Sequence, residues 1–330
     1  MSEVQIEISD AESGAEEAAQ TPYGNLWVPL VVVPAAIVIV IVVVFALFGS
    51  LTGEEKSLDD NLNTVLVGGK NERDQALFGL MRQISENQRA TNSGEELPWP
   101  MASDFPQKVR DAADRVDAQD HEVRLALGLL LAGLDPAGVD MLVEMLALGD
   151  AEDPDGGLRF KAIHNLGLVG DGRATDSVAA FLSSPDEGLR VVAAGALANL
   201  PGSRAREALL EALGDRSLDV RGTAAMALTL LDPPDPAAAP VLMDLTTVAT
   251  YEAVRRDFPS KYTRSRDISL FRIQALGALA RLGREADWAH IESLKTDPDA
   301  NVVDAVLRLL EQGAQPPPAA DQSPTPGEGN

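Results

Sequence analysis

The sequence predicts an all-α fold, an α-solenoid of about six helix pairs following a single transmembrane helix. Three observations predict it. Aromatic residues make up only 4 % of the 330 residues while 45 % are apolar. That balance disfavours strands, which draw on Val, Ile, Tyr, Phe and Trp, and suits closely packed helices rich in Ala and Leu. A hydrophobic-Arg pair recurs every 31 residues, at Leu158-Arg159, Leu189-Arg190 and Val220-Arg221, as expected of one repeated supersecondary unit. Residues Leu26 to Phe48 run 23 residues without a charge, and 17 of them are Val, Ile, Leu or Phe.

In chain order, residues 1–25 carry Glu3, Glu7, Asp10, Glu12, Glu16 and Glu17 with no Lys or Arg, and read as an acidic disordered tail. Residues 26–48 follow. As a helix they reach about 34 Å, against roughly 30 Å of hydrocarbon, and are expected to span a membrane. The acidic start lacks the positive n-region of a cleaved signal peptide, so the anchor is expected to stay. Basic residues begin only after it, at Lys56, Lys70 and Arg73. The positive-inside bias therefore describes a single-pass membrane protein with its C-terminal domain in the cytoplasm. Residues 49–106 read as a juxtamembrane helix and linker: Leu77, Leu80 and Ile84 form a stripe, and Thr91 to Pro106 is a Pro-rich loop around Trp99.

Residues 107–313 repeat. Phe271-Arg272 comes 51 residues after Val220-Arg221, which is 31 plus an insertion of 20, Val302-Val303 another 31 on, and Val123-Arg124 lies 35 before Leu158-Arg159. Three residues after the Arg slot stand Leu127, Ala162, Ala193, Ala224, Ala275 and Val306, and seven after it a Leu in every copy, from Leu131 to Leu310. Both offsets fall on one helical face. Four residues before the slot, Asp120, Asp155, Asp186, Ser217 and Asp299 are N-caps, with Asp267 displaced by one. A second, shorter amphipathic stretch separates the copies, so each unit is two helices that bury their apolar faces only by stacking. Residues 314–330, with five prolines from Gln315 onward, read as a disordered tail.

The pattern Asp-x-x-(Leu/Val)-Arg-x-x-Ala-x-x-(Ala)-Leu, as in DEGLRVVAAGAL and SLDVRGTAAMAL, resembles HEAT repeats of the PBS-lyase-like type, closely over about 155–312 and more loosely over 107–150. That resemblance implies a curved solenoid with the Arg-bearing helices on its concave side; it speaks to shape rather than activity. The ladder Arg124, Arg159, Arg190, Arg221 and Arg272 reads as structural, each Arg pairing with a carboxylate such as Asp153 or Asp215, with ligand binding the alternative. Val303 in the last slot suits a terminal capping unit.

Chemistry is sparse. Twenty-seven basic against fifty-one acidic residues give a net charge of −24, which repels a phosphate backbone and disfavours nucleic acid. Without cysteine there is no disulfide, thiolate nucleophile or Cys-held metal. The histidines His121, His164 and His290 fall on separate repeats. The single His121-Glu122 pair cannot supply the several His-Glu ligands of deoxyhypusine hydroxylase, an iron enzyme built from similar repeats. Nothing marks a phycobilin lyase. The run Asp150, Glu152, Asp153 and Asp155 lacks EF-hand spacing, and Val67-Gly68-Gly69-Lys70 is no P-loop. No catalytic, cofactor-binding or metal-ligating residue is assigned, and no cofactor is expected.

The insertion, about residues 249–267, stands apart. Five of the 27 basic residues, Arg255, Arg256, Lys261, Arg264 and Arg266, fall there with Tyr251, Phe258 and Tyr262. Tyr with Arg is the pairing enriched at interfaces. The stretch reads either as a docking loop for an acidic protein segment or anionic lipid headgroups, or as an insertion neutralised by the protein's own acidic surface. The function expected is a membrane-anchored scaffold or adaptor that binds another protein and catalyses nothing; the alternative is a lyase-like or hydroxylase-like enzyme.

Overall fold

Helix boundaries follow the chain's own punctuation. Asp186 accepts a hydrogen bond from the Leu189 amide at 2.8 Å and Ser217 from the Asp219 amide at 3.2 Å, capping two helices at their first turns. Gly170 and Gly283, at φ of 72° and 67°, close two others in the left-handed conformation that glycine adopts freely. The computed structural model describes residues 56–313, and among them are fifteen α-helices and no strand.

The first part is α1 (Leu58–Val67), α2 (Lys70–Ser93) and α3 (Phe105–Arg115). Helix α1 packs on both α2 and α3, and Leu58, Leu62, Leu80, Phe105 and Val109 are buried together there. The loop after α2 is pinned by Asn87, whose amide donates to the Trp99 carbonyl at 2.8 Å and accepts from the Trp99 amide at 3.0 Å.

From α4 the helices alternate between two rows. Helices α4 (His121–Ala132), α6 (Gly157–Val169), α8 (Glu187–Leu197), α10 (Leu218–Leu228), α13 (Ser265–Leu282) and α15 (Ala300–Gly313) carry the Arg slot. Helices α5 (Ala137–Met145), α7 (Thr175–Ala180), α9 (Ser203–Ala212), α11 (Ala239–Leu245) and α14 (Glu285–Ser293) lie between them in sequence. Each Arg-slot helix packs on the next, and one apolar core runs from Leu125 to Val306. Ala162, Ala193, Ala224 and Ala275 are fully buried in it, small enough to let neighbouring helices approach.

Three sequence expectations are corrected. A membrane-spanning helix, and with it a single-pass membrane protein holding a cytoplasmic domain, is not supported. Among the described residues no helix is long and apolar enough to cross a membrane, because the longer ones, α2 and α13, interleave charged residues with their apolar stripe. Residues 26–48, like the tails at 1–25 and 314–330, lie outside the described residues. The insertion is not all loop: Val248–Asp257 forms a further helix, α12, whose Tyr251 and Val254 share a face at helical spacing. Asp267 is not a displaced cap, since α13 begins two residues before it.

Candidate functional site

The Arg ladder is bound up within the fold. The Asp153 side chain, 1 % exposed, accepts from the Leu158 and Arg159 amides at 2.9 and 3.0 Å and from Arg159 Nε at 2.9 Å. Burial alone would raise its pKa, but those bonds outweigh it and hold the carboxyl below its ordinary value. Arg190, 4 % exposed, forks onto Asp215 at 2.9 and 3.3 Å and donates to the Ser184 and Pro185 carbonyls. Arg272 donates to the Thr246 carbonyl at 2.6 Å and forks onto Asp297. In both forks the carboxylate lies 25 residues on, in the next turn of the solenoid. Arg221 donates to the Asp215 and Arg216 carbonyls, and Arg124 lies 3.8 Å from Glu144.

The insertion lies across α8 and α10. Lys261, in the loop after α12, donates to Glu187 on α8 and, at 3.0 Å, to Asp219 on α10; Tyr262 donates to the same Asp219 at 2.5 Å. Lys261 lowers the Glu187 pKa, and although burial opposes it, the two carboxylates hold the Lys261 ammonium above its usual range. Burial, then the bond to Asp219, raises the Tyr262 phenol. Tyr262 takes up φ of 52°, a conformation uncommon for so bulky a residue. Its ring meets the buried Tyr251 edge-on at 5.0 Å and Phe271 of α13 at 6.0 Å, and Tyr251 Oη donates to the Leu245 carbonyl at 2.7 Å. This aromatic wedge fills the space where α10 and α13 touch only lightly.

Two openings flank the Lys261 crossing. One is an apolar cavity of about 530 Å³, with Phe160, Val191, Met226, Tyr262 and Phe271 among its walls. The other, of about 780 Å³, lies between α12 and the segment leading into α10. Of the eight insertion residues singled out from sequence, Tyr251 is core, and Lys261 and Tyr262 clamp the insertion down. Arg255, Arg256, Phe258, Arg264 and Arg266 are exposed, and the four arginines have no ion pair among the described residues. Sequence reasoning missed Phe160, Met226, Arg216, Glu187 and Asp219. The two carboxylates stand in the first turns of consecutive Arg-slot helices, where acidic residues are ordinary, so only the path of the insertion marks them. Among the described residues no group of three His, Asp or Glu side chains could hold a metal ion.

Residues 175–258, the stretch from α7 through α12, match a family model described as HEAT repeats. Over that stretch, about a quarter of the chain, the sequence is similar to HEAT repeats. No curated protein matches. Solved structures similar to this chain include the YibA protein of Escherichia coli, at 13 % identity and TM-score 0.40 over 77 % of this chain and 92 % of that one. A designed armadillo repeat protein matches at 16 % identity and TM-score 0.35, over 78 % and 100 %. Human deoxyhypusine hydroxylase matches at 18 % identity and TM-score 0.28, over 80 % and 98 %. At these scores none of the three bears on activity or partner.

Proposed function

We propose that this protein is a non-catalytic scaffold or adaptor that holds another protein through its solenoid, with the two openings beside the insertion as the contact. One observation carries the reading. The apolar cavity stays open between α6, α8, α10 and the insertion, with Phe160 on its rim 44 % exposed. A cavity of this size lined by aromatic and aliphatic groups is the kind of pocket that receives an anchor side chain from a partner. Lys261, Glu187 and Asp219 neutralise much of one another's charge. The reading rests on the solenoid alone, and the lipid contact expected from the sequence drops out with the membrane span.

A photo-crosslinking residue placed at Phe160, Met226 or Arg256 of the full chain tests it, with Arg204 as the control. We expect one discrete protein adduct from the first three sites and none from Arg204. Adducts at no site, together with stoichiometric metal in the purified protein, would replace the scaffold reading with an enzyme.

A further inference from the structure

The larger opening points to the chemistry of its occupant. Its floor is apolar, built from Leu218, Ala253, Val254 and Phe258, the last 59 % exposed. Its rim is cationic. Arg190 there is held by Asp215 and Lys261 by Glu187 and Asp219, which leaves Arg216 and Arg256 facing a single further carboxylate, Asp257. Among the described residues Arg216 finds only the Pro185 carbonyl, at 3.5 Å, and Arg256 has no ion pair.

Such a rim needs a reason in a chain with 51 acidic residues and a net charge of −24. Arg73, Arg110, Arg159, Arg206 and Arg284 each have a carboxylate within 3 Å, whereas Arg216 and Arg256, like Arg255, Arg264 and Arg266 of the insertion, have none among the described residues. Two arginines from segments 40 residues apart, brought to one groove and without a carboxylate partner among the described residues, are placed to receive carboxylates from outside. Guanidinium forks bind carboxylates in two-point geometry, and the apolar floor beside them strengthens the attraction by excluding water.

We propose that this groove binds an acidic segment of a partner protein, its carboxylates on Arg216 and Arg256 and a bulky apolar side chain on Phe258 and Val254. The proposal rests on the scaffold reading and names its partner's chemistry. Charge complementarity selects this occupant: a basic segment would meet both arginines, and an uncharged one would leave them unpaired beside an apolar surface.

Selection of a random phage-displayed dodecapeptide library on the immobilised full chain tests it. We expect enriched peptides to carry two or more Asp or Glu flanking Leu, Phe or Trp. We also expect them to bind at least tenfold more weakly to Arg216→Glu, Arg256→Glu and Phe258→Ser variants, and unchanged to Arg204→Glu. These sites are exposed, and unaltered circular dichroism confirms folding. No enrichment, enrichment without acidic residues, or equal binding to the Arg216 and Arg256 variants overturns the proposal. So does enrichment seen only when Glu3, Glu7, Glu12, Glu16 and Glu17 are changed to Gln, which assigns the groove to the chain's own acidic start. If selection fails while photo-crosslinking at Phe160 still captures a partner, only the acidic chemistry falls; if both fail, the scaffold reading falls with it.

Discussion

Arg272 shows what a single residue does in a stacked fold. The residue is 1 % exposed, and its guanidinium ties the end of α11 to Asp297 one repeat later, satisfying a backbone carbonyl and a carboxylate together. Arg272→Ala leaves Asp297 charged, largely buried and unpaired, and should destabilise the protein by about 3–5 kcal/mol. Arg272→Lys keeps the charge but cannot reproduce the fork, and should recover less than half of that in urea denaturation; full recovery by Lys would show that charge alone matters. His290 works differently. Its Nε2 lies 2.8 Å from Thr246 Oγ1, whose own proton goes to the Met243 carbonyl, so the imidazole is the donor. Burial depresses its pKa below the ordinary 6.5, with nearby Asp287 only partly opposing. The unfolded chain therefore binds the proton more readily than the folded one, and the stability His290 contributes is complete above pH 6.5 and falls as pH drops through the folded value. The urea midpoint should fall between pH 7.5 and 5.5 in the wild type, and His290→Gln, which keeps a donor that does not titrate, should flatten that part of the profile. An unchanged slope in the variant would assign the pH dependence to other groups.

At the scale of helices, close approach decides. A Cβ built on Gly167 of α6 would lie 2.7 Å from both Cα and Cβ of Ala196 on α8, a collision with backbone that no rotamer relieves. Gly167→Ala should cost about 1–3 kcal/mol by overpacking, more than the roughly 1 kcal/mol that Ala gains in helix propensity. Gly277 on α13 has nothing within 4 Å of the same position, so Gly277→Ala should raise the melting temperature while Gly167→Ala lowers it. A rise for both would mean that α6 and α8 separate freely. Sequence made the helices legible because a slot recurring at 31 residues, with an apolar residue three and seven positions on, leaves few other folds. It could not place the insertion. Tyr251 reads as an interface tyrosine because its partners, Tyr262 and Phe271, meet it only once the segment after α12 turns back over α10. Lys261 reads as a free cation because Glu187 and Asp219 lie 74 and 42 residues away. Contacts within a repeat follow from its period, whereas contacts made by a segment outside the period follow from its path. Arg216 was missed for the complementary reason: it lies in an ordinary inter-repeat turn and gains its meaning from α12 across the groove.

Over the whole molecule, stability should be carried from neighbour to neighbour. Each Arg-slot helix packs chiefly on helices close to it in sequence, in its own row or between, so the solenoid behaves as a row of units whose stability is the sum of unit and interface terms. Helix α15 ends the described row. It packs on α13 and α14 through Val302 and Val306, carries Val303 where other copies carry Arg, and leaves Leu307 47 % exposed. With no fork and no following helix among the described residues, α15 should exchange its amide hydrogens faster than α6, α8 and α10, which have Arg-slot helices on both sides. Two truncations of fully buried residues then separate an additive row from a single cooperative unit. Val306→Ala should speed exchange in α14 and α15 and leave α6 and α8 as they were. Leu197→Ala removes a core side chain from the middle at a cost of about 2–5 kcal/mol, and should speed exchange in α6 through α10 while α1 to α3, which have their own buried cluster, keep their protection. Equal loss of protection from α1 to α15 in both variants would show that the repeats unfold together. In that case the insertion, which ties α8, α10 and α13 through Lys261 and the Tyr251, Tyr262 and Phe271 wedge, would be the element coupling them, and Lys261→Ala should then restore graded exchange.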